Sequence, residues 1–274
     1  MITPFMPGSD RASLFIESCC TTLEEALSAQ ARGARRIELC TDLSIGGVTP
    51  SHDLIRSVVQ TLTIPVNVLI RPRFRVKPGM TGEQDMPDIT EKQDVPDITE
   101  KQDMPDMTGV SGRKNRHSGL DPESHSMKGF SYESFVYGEN DIQQMIKDID
   151  YCKSVGAAGI VVGALTPDGR IDLAAMRRLV AAAQPLPVTF HRAYDVCTED
   201  PFEALEQIID LGCTRLLTSG QAANAWEGRD LIRQLVDRAA DRLIILAGRG
   251  VTPKNIESLA AATGAREFHG TALP

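Results

Sequence analysis

The strict alternation of short apolar runs with amphipathic helical patterns constrains this chain more than any other feature. Runs over 14–20, 35–41, 65–72, 159–165, 187–194, 215–218, 242–247 and 267–270 are strand-length and nearly continuous in apolar character. That is the pattern of parallel strands covered on both faces. Helical patterns occupy 23–34, 51–61, 141–154, 172–183, 201–211, 229–240 and 253–263. Thr22 followed by Glu25 reads as a capping box at the start of the first of them. Eight strands and seven helices in this order favour a closed barrel over an open doubly wound sheet. The expected fold is therefore α/β, a TIM-type (β/α)8 barrel. The sequence ends just after the eighth run, so the eighth helix is expected to be missing. The flank it would cover, near strands 8 and 1, is expected to expose apolar surface, Phe268 or its neighbours included, and to favour a homodimer.

One stretch breaks the alternation. Gln84–Lys92 is repeated as Gln93–Lys101 and again, in part, as Gln102–Thr108, with a proline in each copy. Prolines at that period forbid a continuous helix. A basic and then polar segment, 113–126, follows. The expectation is a single barrel domain over 1–274, with 74–134 a long, disordered, low-complexity insertion after strand 3. Without it about 210 residues remain, near the lower limit for the fold.

Charge and leader patterns narrow the setting. A net charge of −8 argues against general affinity for nucleic acid or an anionic membrane surface. No apolar run approaches the ~20 residues of a membrane helix. The first ten residues lack a basic segment followed by an apolar one, so a cytoplasmic protein is expected. There the six cysteines are expected to be thiols rather than a disulfide framework.

Within that frame two echoes stand out, Glu17-Ser18-Cys19 and Glu38-Leu39-Cys40, each closing a strand. Residues two apart on a strand share a face. Glu17 and Cys19 therefore point one way, and so do Glu38 and Cys40. If strands 1 and 2 pair in parallel, two thiols and two carboxylates converge at their C-terminal ends. Cys20 points the other way, towards the helices. Cys152, Cys197 and Cys213 have no partner at metal-ligand spacing, and the chain contains no Cys-x-x-Cys.

Eight segments in order resemble the copper homeostasis protein CutC family. They are 17–19 with 23–30, 36–40, 46–51, 70–73, 163–170, 188–193, 217–221 and 267–270, and they span the chain outside the insertion and the first dozen residues. The resemblance implies a TIM-type barrel, a cytosolic protein implicated in copper handling, and Cys19 and Cys40 as a Cu(I)-binding pair. Soft thiolates do suit Cu(I). Buried cysteines also serve as small core residues, and both readings stand on the sequence. Three departures from the family are visible: the insertion, Ala247-Gly248-Arg249-Gly250 in place of a run of glycines, and the early end.

A second set of residues supports an alternative, a barrel enzyme acting on a small anionic or phosphorylated metabolite. Glu17, Glu38, Arg71, His191 and His269 all fall at inward-facing strand-end positions, where barrel chemistry is carried. Glu38 or Glu17 would be the base and His191 the acid. Arg71, with Arg73 beside it, would clamp the anion. His269 and the strand-end segments Ser219-Gly220, Gly248-Arg249-Gly250 and Gly270-Thr271 are the further candidates for anion contact. The glycines in them also read simply as tight turns.

Overall fold

In the computed structural model of the chain, the described residues are 14–72 and 131–271. They alternate as β1 (Phe15–Cys20), α1 (Leu23–Ala31), β2 (Arg36–Leu39), α2 (His52–Thr61), β3 (Val66–Leu69), α3 (Glu139–Val155), β4 (Gly159–Val162) and α4 (Leu173–Ala183). The order continues through β5 (Val188–Phe190), α5 (Pro201–Asp210), β6 (Arg215–Thr218), α6 (Arg229–Ala239), β7 (Ile244–Gly248), α7 (Ile256–Thr263) and β8 (Glu267–Gly270). The eight strands close into one barrel in chain order. Every neighbouring pair is parallel, β1 with β8 included. No helix of the described residues is long and apolar enough to cross a membrane.

Local chemistry starts the helices where the sequence suggests. Thr22 caps α1 by accepting from the Glu25 N–H, while the Glu25 carboxylate reaches one residue further back, to Thr21. Ser51, Asp172 and Asp200 cap α2, α4 and α5 in the same way, and Pro201 sits in the first turn of α5. Such caps satisfy N–H groups that a helix leaves without an internal partner.

The strand alternation sorts side chains into two cores. Cys20, Ile37, Leu39, Val66, Val68, Ile160, Val188 and Phe190 face outward into the large cluster shared with the helices. Cys19, Cys40, Leu69 and Val161 form a separate small cluster inside the barrel. The barrel interior also carries many polar side chains, with Glu17, Arg36, Glu38, Asn67, Arg71 and Thr189 all buried.

Three sequence expectations need comment. Phe268 is fully buried in the large cluster rather than exposed on an open flank, so it is not part of any exposed apolar surface there. The insertion expected over 74–134 lies outside the described residues except for 131–134, and Arg73 lies outside them too. Those last residues pack with the barrel: a 3-10 turn at Tyr132–Phe135 buries Phe135, and Val136 bridges to Leu165. Among the described residues no helix follows β8.

Candidate functional site

The site is layered along the barrel axis. At its base, Arg36 on β2 donates from Nε to Glu17 of β1 and from Nη2 to Glu267 of β8 at 2.6 Å. Arg215 of β6 bonds the same Glu267 oxygen at 3.1 Å. A buried ion pair is favourable only when its remaining lone pairs and protons also find partners, and this network supplies them.

One layer up, His269 sits between two carboxylates. Its Nδ1 is 2.9 Å from Glu17 Oε1 and 3.3 Å from Glu38 Oε2. The two carboxylates are shifted in opposite directions. Burial alone would raise the pKa of Glu17, but His269 and Arg36 override it and hold the group at about 2. Glu38 lacks a guanidinium of its own, and burial pushes it up to about 7. Burial would lower the pKa of His269, but Glu38 and Glu17 raise it. Ligand atoms of Glu17, Glu38 and His269 lie within 4.8 Å of one another, close enough for a cation to touch all three.

Above them the two thiols meet. Cys19 Sγ and Cys40 Sγ are 3.5 Å apart, 21 residues distant in sequence. The parallel register makes this possible: Cys19 is opposite Glu38, so Cys40 lies one pleat further on. Gly47 closes the other side of Cys40. A Cβ there would stand 2.8 Å from Leu69 Cδ2 and 3.5 Å from Cys40 Sγ, and its φ of +84° is one that other residues rarely adopt. The hydrogen bond with Cys40, then burial, then the Glu38 charge push the Cys19 thiol well above its ordinary pKa. Both thiols face a cavity of about 380 Å³ that opens at the C-terminal ends of the strands.

The rim of the cavity carries His191 and three arginines, Arg71, Arg192 and Arg249. Arg71 Nη1 donates to the carbonyls of Ile45 and Gly47 at 3.1 Å each, and its guanidinium lies 4.8 Å from the Phe135 ring centre. Burial, and then Arg71, lower His191 to about 3, so its imidazole is neutral. Its Nδ1 accepts from the Ala193 N–H at 3.2 Å. The proton of the neutral ring therefore sits on Nε2.

Comparison with known proteins agrees with the barrel fold. The CutC family model matches residues 14–77 and 128–273. The chain belongs to the CutC family. A CutC family protein of Parabacteroides distasonis is 40% identical over 258 residues, covering 94% of this chain and 82% of that protein. The Mus musculus protein named copper homeostasis protein cutC homolog is 37% identical over 257 residues, covering 94% of this chain and 73% of that one. A solved Streptococcus agalactiae structure that carries the CutC name superposes with a TM-score of 0.70 at 27% identity, covering 95% of this chain and all of that one. A solved aldolase, with a TM-score of 0.56 at 11% identity, covering 96% of this chain and 91% of that one, shares the fold alone.

In this CutC barrel the residues singled out by sequence fall into three groups. Cys19, Glu38, Cys40, Arg71, His191, Gly250, His269 and Gly270 line the one cavity. Glu17 lies below it, fully buried against His269 and Arg36. Ser219 and Gly248 do not line it: Ser219 donates its N–H and hydroxyl to Asp195, and Gly248 makes room for Leu217, which would be 2.6 Å from a Cβ there. Sequence reasoning passed over Arg36, Glu267 and Arg215 at the base. It also missed Arg192, which the 3-10 turn at Arg192–Val196 places on the rim.

Proposed function

We propose that this chain binds Cu(I) through Cys19 and Cys40 and serves copper homeostasis in the cytoplasm. The observation that carries the reading is the 3.5 Å approach of two thiols facing an accessible cavity. Thiolates are soft donors, and a pair of them suits Cu(I) in preference to hard cations such as Mg²⁺ or Ca²⁺. The reducing cytoplasm would keep such thiols available. The relative from Mus musculus bears the copper homeostasis name, which fits the same chemistry.

Metal binding to thiols releases their protons, so the high thiol pKa of Cys19 makes affinity rise with pH. Competition against a coloured Cu(I) chelator under reducing conditions tests the proposal. Wild type and Cys152→Ser are expected to withdraw about one Cu(I) per chain, and Cys19→Ser and Cys40→Ser to withdraw none. Equal withdrawal by wild type and the Cys19→Ser/Cys40→Ser double variant would end it.

A further inference from the structure

The rim of the cavity has features that the thiol pair does not need. Three arginines and one carboxylate, Glu38, line it, in a chain whose net charge is −8. Positive charge has been gathered at this one mouth. Arg192 is fixed there: its Nε bonds Asp195 Oδ2 at 2.9 Å. Asp195, itself fully buried, also accepts from Thr218 and from the backbone N–H groups of Ser219 and Gln221. The loop after β6 thus holds the Asp195 carboxylate, and the carboxylate holds Arg192. Arg249 comes up beside it after β7. Burial, and then the charge of Arg192, lower the pKa of Arg249, while the Asp195 carboxylate opposes that shift. Arg249 stands there at a φ of +72°, a left-handed backbone that a non-glycine residue rarely adopts. An anion seated at this rim would offset the positive charge of the arginines that line it.

His191 supplies the third donor. It is only 5% exposed, and its Nε2 has no hydrogen-bond partner. A buried donor left without a partner is costly and calls for an explanation. The ring is kept in this orientation by the Ala193 N–H on Nδ1 and by the bare Cα of Gly163, where a Cβ would lie 2.6 Å from Nδ1. A neutral imidazole N–H donates to an anion without adding charge. The cavity of about 380 Å³ lies at the small end of the ligand-site range, the size for a compact metabolite.

We propose that this cavity binds a small dianionic metabolite, a phosphate monoester or a short dicarboxylate, whose anionic oxygens are held by Arg192, Arg249 and the Nε2–H of His191. The planar forks of the arginines match the paired oxygens of either group. This reading does not depend on the Cu(I) proposal, because none of its three donors is a thiol.

Calorimetric titration of the full chain with inorganic phosphate, glycerol 3-phosphate and succinate tests it, with glycerol as the neutral control. At least one dianion is expected to saturate a single site below about 10 mM, while glycerol gives no heat. Preference for the phosphates or for succinate identifies the source of the charge. Arg249→Gln is expected to weaken the preferred dianion by about tenfold to a hundredfold, the worth of one charge-assisted bond. His191→Leu should weaken it as well, and His191→Gln, which restores an N–H, should recover part of the loss. The Cys19→Ser/Cys40→Ser double variant should bind the dianion as wild type does, which separates this test from the copper test. If Arg249→Gln does not fold, the wild type still answers: the dianion should slow modification of its arginines by phenylglyoxal. No saturation by any of the three dianions, or wild-type affinity in a folded Arg249→Gln, would overturn the proposal.

Discussion

Glu17 and Arg36 are joined inside the barrel across the β1–β2 pair, with the Glu17 side chain fully buried and that of Arg36 4% exposed. Two charges buried together need each other, since removing one partner leaves the second without compensation. Glu17→Gln is expected to cost about 3 kcal/mol in urea denaturation at pH 7, with the slope unchanged. The pH dependence has a defined sign. The carboxyl is held at about 2 against an ordinary 4.5, so its contribution is complete above pH 4.5 and is lost as pH falls towards 2. The gap between wild type and variant should therefore narrow over that window. A gap that is small at pH 7, or that widens in acid, would contradict the network.

Glu38 should behave in the opposite sense. Burial raises it from 4.5 to about 7, so its ionised form burdens the fold above pH 7 and that burden is relieved as pH falls to 4.5. Glu38→Gln is expected to raise the melting temperature at pH 8 and to leave it unchanged at pH 4. A melting temperature lowered at pH 8 would show that the contact with His269 outweighs burial.

The repeat-containing stretch offers a third test. The family match stops at residue 77 and resumes at 128, and the barrel strands close without anything from between. We expect deletion of 78–127, bridged by a short Gly/Ser linker, to leave the melting temperature within a few degrees, because loop length adds only slowly to closure entropy. A large fall would show that the stretch packs on the barrel.

The barrel was legible because its strands announce themselves twice, by apolar runs and by regular spacing between helices. The thiol pair was legible from parity: Glu17 with Cys19, and Glu38 with Cys40, had to share faces. The same parity carries two residues backwards from Glu38 to Arg36, from His269 to Glu267 and from Leu217 to Arg215. The basal ion network was thus within reach, and went unread because strand-end residues drew the attention. Arg192 could not be placed that way. It follows β5 in a 3-10 turn, where alternation no longer applies, and the sequence reading carried that strand to Tyr194. The positive φ of Arg249 was equally invisible, since it depends on the packing of the loop after β7 rather than on a local glycine or asparagine.

X-ray absorption at the copper edge, on chain loaded with one equivalent of Cu(I), tests the central claim most directly. The expected spectrum shows a Cu(I) ion with two sulfur neighbours, and no tightly bound copper in Cys40→Ser. A first shell of nitrogen and oxygen without sulfur would place the metal at Glu17, Glu38 and His269 instead, and would contradict the thiol site.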